Sequence, residues 1–162
     1  MMDLRCTWKY LISLICIIMA VNATGADIVI NEMLSNPASD WNKNGDISGM
    51  DDEFVELFNA GKEPVDVSGY VMKDTVFRST PGEYRMLNGT TIKPGEFLAI
   101  FVSSSGVFQG NDGDCIRLFD PSGNLVDQKE YKVAMADVSF ARIPDGGEWG
   151  NSTTPTPGMP NQ

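Results

Sequence analysis

The 162-residue chain contains no histidine. That absence excludes a Ser-His-Asp or Cys-His catalytic group, an imidazole general base and any zinc site with a histidine ligand. Cysteine is almost as scarce. Of three, Cys6 and Cys16 fall in the first 26 residues, so Cys115 stands alone beyond them and no disulfide can form within that part. Basic residues are also few, 12 against 22 acidic ones, for a formal charge of −10. A protein that holds nucleic acid by neutralising phosphates needs a basic patch, so nucleic acid is not expected as a partner. Carboxylate chemistry, oxygen-ligand metal binding, or binding without catalysis remain.

No apolar run approaches the roughly 20 residues of a membrane-spanning helix. The longest, residues 11–21, follows Arg5 and Lys9 and precedes the small residues Ala23 and Ala26. This layout predicts a secretory signal in residues 1–26, cut near Ala23 or Ala26, rather than a permanent membrane span, and hence a secreted or cell-surface protein. Without Asp3, Arg5 and Lys9, residues 27–162 carry 22 − 1 = 21 acidic and 12 − 2 = 10 basic groups, a net charge of −11. The remaining 162 − 26 = 136 residues can bury an adequate core, so one monomeric domain is expected, residues 27–150, followed by a Pro-rich tail, residues 151–162. Asn88-Gly89-Thr90 and Asn151-Ser152-Thr153 match the glycosylation acceptor pattern of exported chains.

No stretch after residue 26 sustains a helical apolar period, and Gly and Pro together number 16 + 9 = 25, too many for a helical interior. Short β-rich runs occur at residues 27–33, 53–59, 65–73, 91–92, 97–102, 115–119, 125–131 and 138–143, separated by turn chemistry such as Lys93-Pro94-Gly95 and Pro121-Ser122-Gly123-Asn124. About eight strands with close turns predict an all-β sandwich or barrel. Cys115 opens one run and reads as a small buried hydrophobe. The tail has no apolar period and is expected to be extended or disordered.

Six pieces in order carry a family likeness: Ile30-Asn31-Glu32; Glu53-Phe54-Val55-Glu56-Leu57-Phe58-Asn59; Pro64-Val65-Asp66-Val67-Ser68-Gly69-Tyr70; Lys93-Pro94-Gly95; Asn111-Asp112-Gly113-Asp114; and Thr154-Pro155-Thr156-Pro157-Gly158-Met159-Pro160-Asn161. Together the chain resembles the lamin tail domain, and in particular its exported prokaryotic members. The resemblance implies an immunoglobulin-like β-sandwich. It implies an extracellular setting and an interaction module, and it supplies no catalytic motif.

Asp40, Asn42, Asn44, Asp46, Ser48 and Asp51 occupy positions 1, 3, 5, 7, 9 and 12 of a twelve-residue window, with Gly45 at 6 and Ile47 at 8. That is the pattern of an EF-hand-type calcium loop. Alternate residues turn oxygen toward one centre, Gly45 permits a reversal with positive φ, and Ile47 is expected to anchor the loop in the core. The loop resembles that of dockerin modules. On that resemblance Asp40, Asn42, Asn44 and Asp51 are side-chain ligands to Ca2+, Asp46 offers its carbonyl, and Ser48 acts directly or through water. Position 12 lacks the bidentate Glu, and a strand rather than a helix follows. Asp52 or Glu53 is positioned to supply the missing carboxylate, although a polar surface loop has the same composition.

Glu32, Glu53 and Glu56 are read as the solvent-facing half of two strands, because they alternate with Ile30, Val55 and Leu57. Convergence into an acid/base group is the competing reading. Trp41, Phe77, Tyr84 and Trp149 are expected to be core edges or loop staples rather than a sugar- or peptide-binding face. The reading that follows is an exported, non-catalytic module for an extracellular protein or cell-surface polymer. A small calcium-dependent hydrolase of phosphodiesters or glycans, or an accessory domain to one, is the alternative.

Overall fold

A computed structural model describes residues 27–49, 51–74, 82–107, 109–152 and 154–162. The expected signal in residues 1–26, with Cys6 and Cys16, lies outside the described residues, as do Phe77 and Thr153. The strands are β1 (Ile28–Leu34), β2 (Phe54–Asn59), β3 (Val65–Asp66), β4 (Val71–Lys73), β5 (Glu83–Arg85), β6 (Thr91–Ile92), β7 (Phe97–Phe101), β8 (Asp114–Phe119), β9 (Leu125–Tyr131), β10 (Ser139–Arg142) and β11 (Trp149–Ser152), with one helical turn, α1 (Val102–Ser105).

Their pairings are antiparallel throughout. One sheet runs β11-β10-β1-β2-β7, a second runs β5-β4-β8-β9, and β3-β6 forms a short ribbon. Ile28, Ile30, Val55, Leu57 and Ile100 from the first sheet meet Met72, Ile116 and Leu118 from the second in a single core. Strand β8 shows why: Ile116 and Leu118 alternate inward while Cys115, Arg117 and Phe119 stand outward, the period-2 pattern of a half-covered sheet. Cys115 is half-buried on that outer face rather than in the core. The expected all-β, immunoglobulin-like sandwich is the fold found.

Strand β1 departs from simple alternation. Its register with β2 shifts between Ile30 and Glu32, leaving Asn31 as the extra residue of a bulge. The freed backbone groups of Ile30 are taken by side chains: its N–H donates to Asp127 Oδ2 at 2.9 Å, and its carbonyl accepts from Arg142 Nε at 2.8 Å. Arg142 closes the triangle with Asp127 at 3.0 Å. This tie joins β9 of one sheet to β1 and β10 of the other.

Glu32, Glu53 and Glu56 are buried, contrary to the reading of a solvated strand face. Over Glu32 and Glu56 the face expected to meet water is covered by residues 154–161, while Glu53 is buried among the loops against Gln109. Strand β11 continues past residue 150 to Ser152, and residues 154–161 form a strap with a turn at Thr156–Met159, bound across β1 and β2. Thr156 N–H donates to both Glu32 oxygens at 3.2 and 3.0 Å, Gly158 N–H to Glu56 Oε2 at 2.6 Å, and Asn161 N–H to Asp145 Oδ1 at 3.0 Å.

Candidate functional site

The two sheets end in a pole of loops made by residues 35–49, 51–53, 102–107, 109–113 and 132–138. They are bound together there: Asn36 Nδ2 donates to the Ala134 carbonyl, Ala134 N–H to the Asn111 carbonyl, and Gln109 Nε2 to the Leu34 and Phe54 carbonyls. The calcium-type loop sits at this pole.

Its backbone is shaped by carboxylates turned inward. Fully buried Asp52 accepts the N–H groups of Trp41 and Asn42 on Oδ1, at 2.8 and 3.0 Å, and that of Ser48 on Oδ2, at 2.9 Å. The Ser48 carbonyl in turn accepts from Asp51 and Asp52 N–H, a single helical turn where an EF-hand would continue into a helix. Asp137 holds the other side, accepting from Ala38 N–H, the Ser39 hydroxyl and Trp41 Nε1. Burial opposes ionisation of Asp137, but these donors outweigh it and keep its carboxyl below the usual range. Trp41 is therefore a loop staple, as expected.

Within this frame four of the predicted ligands come together. Asp40 accepts from Asn44 N–H on Oδ1 at 3.1 Å and from Gly45 N–H on Oδ2 at 2.9 Å. Asn42 Oδ1 accepts the same Asn44 N–H at 2.9 Å, the Asn42 amide reaches the Asp51 carbonyl at 3.3 Å, and the Asn44 amide donates to Asp51 Oδ2. Amide groups from Asn42, with the Ser103 hydroxyl and Asn44, hold the half-buried Asp51 carboxyl below its ordinary range. Asp46 joins through its N–H, which donates to Asn44 Oδ1 at 2.8 Å. Ser48 is held on the Asp52 side of the loop by its N–H and carbonyl. Gly45 has φ of 97°, the left-handed turn that the pattern requires.

Three expectations about this loop fail. Ile47 is 64% exposed and does not anchor it in the core; Asp52 does that, through hydrogen bonds rather than apolar burial. Asp52 is consequently unable to serve as a second ligand at position 12. Glu53 is also turned away: its Oε2 accepts Gln109 N–H at 2.9 Å inside the pole, and burial followed by the nearby Asp114 raises its pKa to about 8. Among the described residues no group of three or more Asp, Glu, His or Cys side chains forms a metal-holding cluster. A cation in this loop would draw on amide and carbonyl oxygens besides Asp40 and Asp51, the hard donor set that suits calcium.

A second concentration of carboxylates joins two of the three glutamates weighed from sequence, Glu32 and Glu56, but buried rather than on the solvated face expected of them. Glu32 and Glu56 are register partners, with Asp145 beside them. Burial first, and then its neighbours Glu32 and Asp145, raise the Glu56 pKa to about 8, and burial raises that of Glu32. Both are sealed beneath the strap, so this pair has no open face to a substrate. The remaining aromatics are edges: Tyr84 lies on β5, and Trp149 on β11 is flanked by Lys129 and Arg142, each 4.6 Å from its ring centre.

Comparison with curated proteins gives no match. The family model of the Lamin Tail Domain matches residues 22–132, more than half of the chain, covering β1 to β9, while β10 and β11, which complete the first sheet, and the strap lie beyond it. The order of its motifs, its antiparallel sandwich and this match agree, and the chain belongs to the lamin tail domain family.

Proposed function

We propose that the chain is an exported, non-catalytic binding module whose 40–51 loop is ordered by calcium, and that its partner is an extracellular protein or a cell-surface polymer. The observation that carries this reading is the convergence of Asp40, Asn42, Asn44 and Asp51 around a left-handed Gly45. These side chains now occupy one another's hydrogen-bonding groups. A calcium ion would replace the Asn44 amide as the partner of Asp51 and would take oxygen from both amides, with the Asp46 carbonyl and Ser48 completing the set. Loops gathered at one end of an immunoglobulin-like sandwich are well placed to meet a partner.

The hydrolase reading needs a carboxylate beside the metal that is free to handle a proton or a water. Asp52 and Asp137, which adjoin the loop, are instead engaged by backbone and side-chain donors, which favours binding over catalysis. The test is capture of native cell-surface material by the full mature chain. Retention with calcium and release by chelator is expected. Calcium-dependent cleavage of a phosphodiester or glycan, abolished by Asp40→Ala, would overturn the non-catalytic reading.

A further inference from the structure

The strap is fastened to the first sheet by acids. From Thr156 to Asn161, among the described residues, each backbone N–H that reaches the rest of the domain ends on a carboxylate: Thr156 on Glu32, Gly158 on Glu56, and Asn161 on Asp145. The three acids form one group. Asn31, the bulge residue, joins two of them, its Nδ2 donating to Glu56 Oε1 at 3.2 Å and to Asp145 Oδ1 at 3.0 Å. Glu32 and Glu56 are register partners, and both are fully buried.

No cation balances them. Residues 154–162 hold no lysine or arginine, and among the described residues none of the three acids belongs to an ion pair. Arg142, on the adjoining β10, is engaged by the Ile30 and Gly147 carbonyls and by Asp127. The other strands against the pair add no charge: β7 sets Ala99 opposite Glu56, while β10 sets Ala141 opposite Glu32 and donates the Ser139 hydroxyl to it. The charges that act on Glu56 are those of Glu32 and Asp145, and on Glu32 that of Asp145. Closing the strap therefore takes two neighbouring carboxyls out of water with only neutral donors around them. That state disfavours a second negative charge.

We propose that residues 154–161 are a proton-controlled strap, closed over β1 and β2 while the Glu32–Glu56 pair retains a proton and released from them as that proton is lost. The sign follows from linkage. Under the strap, burial first and then Glu32 and Asp145 raise the Glu56 pKa to about 8, and in the hydrated, open form it falls back toward 4.5. The closed form thus binds the proton more tightly. Closure is strongest below pH 4.5, weakens as pH rises, and levels off once pH has passed through 8. Between pH 6 and 9 this one carboxyl lowers the closure equilibrium on the order of a hundredfold. The strap is distinct from the 40–51 loop and its release asks nothing of calcium.

The experiment is amide hydrogen exchange of the full mature chain from pH 6 to 9, each rate divided by that of the same residue in an unstructured peptide. Thr156 and Gly158 N–H should be less protected than Ile116 and Leu118 N–H of β8 at every pH, and their protection should fall on the order of a hundredfold across the range. Glu56→Gln, which keeps an oxygen for Gly158 N–H, should leave less than a tenfold fall. Glu53→Gln, at the pole of loops, should leave the strap's fall unchanged, which separates strap release from the titration of that second buried acid. Each variant is first shown by circular dichroism to keep the strand signal; should Glu56→Gln fail to fold, Glu32→Gln, which removes the neighbouring charge, is expected to reduce the fall in its place. Strap protection independent of pH in wild type, or equal to that of β8 throughout, would overturn the proposal. So would a fall that persists undiminished in the folded glutamine variants of the pair.

Discussion

Glu32 and Glu56 face each other across the β1–β2 pair, both sealed from water, and each is capped by an N–H of the same C-terminal strap. Burying two neighbouring carboxyls is costly unless donors surround them. Thr156 offers both N–H and hydroxyl to Glu32, where Ser139 adds a hydroxyl at 2.6 Å, while Asn31 joins Gly158 on Glu56. The Pro-rich end is thus part of the fold's polar interior.

Ending the chain after Ser152 should therefore cost about 2–4 kcal/mol, because it withdraws donors from two buried acids. Urea unfolding of the shortened chain reads this as a lower midpoint. An unchanged midpoint would mean that the strap rests on the sheet without supporting it.

Glu53 predicts a pH dependence. Its folded pKa, about 8, stands above the ordinary carboxyl value of 4.5. The folded state therefore holds the proton more tightly than the unfolded state. Its contribution is fully present below pH 4.5 and is lost as pH rises toward and through 8. Glu53→Gln keeps an oxygen for Gln109 N–H and removes the charge beside Asp114. It should raise stability at pH 9 by on the order of 1–2 kcal/mol and flatten the profile between pH 6 and 9. Melting curves across that range decide it; a profile parallel to wild type sinks the assignment.

Asp52 gives a sharper contrast with its neighbours. Three backbone N–H groups converge on its buried carboxylate, so Asp52→Ala should destabilise by about 2–4 kcal/mol. Ile47→Ser, at an exposed tip, should change stability by less than about 0.5 kcal/mol. Denaturant midpoints of the two variants test which residue fastens the loop, and the reverse order would restore Ile47 as its anchor.

The parts of this molecule that sequence reveals are those governed by local chemistry. The alternation of Cys115, Ile116, Arg117, Leu118 and Phe119 announces β8, and the Pro121-Ser122-Gly123-Asn124 turn announces its hairpin with β9. Glu83–Arg85 escaped because three residues are too few to show a period, and Trp149–Ser152 because glycine and asparagine mask a strand held by register with β10. The buried acids escaped for a tertiary reason. Alternation with Val55 and Leu57 says that Glu56 lies off the core face, whereas Glu32 shares the parity of Ile30 and is turned off that face by the Asn31 bulge; for both, only residues about 100 positions later determine whether water or a strap lies there. In the loop, spacing identified the converging group of Asp40, Asn42, Asn44 and Asp51, while Asp52's inward turn left no local trace.

Calcium is the prediction on which the proposed function turns. Asp40, Asp46, Asp51, Asp52 and Glu53 lie within fourteen residues with Lys43 alone opposing them. Asp52 and Glu53 point into the fold, so Asp40, Asp46 and Asp51 remain to repel one another in the loop. A divalent ion reverses that repulsion, and a flexible loop of mixed oxygens favours calcium over the stricter octahedron of magnesium. With a Kd on the order of 10–100 μM, a few millimolar calcium should add roughly 2–3 kcal/mol through mass action on the folded state. For a domain of this size the Tm rises by several degrees. Asp40→Ala should remove most of that rise while leaving the Tm in chelator close to wild type, since Asp40's hydrogen bonds among the described residues stay within the loop, to Asn44 and Gly45. Magnesium at the same concentration should give a smaller rise. If wild type melts at one temperature in calcium and in chelator, residues 40–51 are a hydrogen-bonded surface turn and the calcium-ordered module is abandoned.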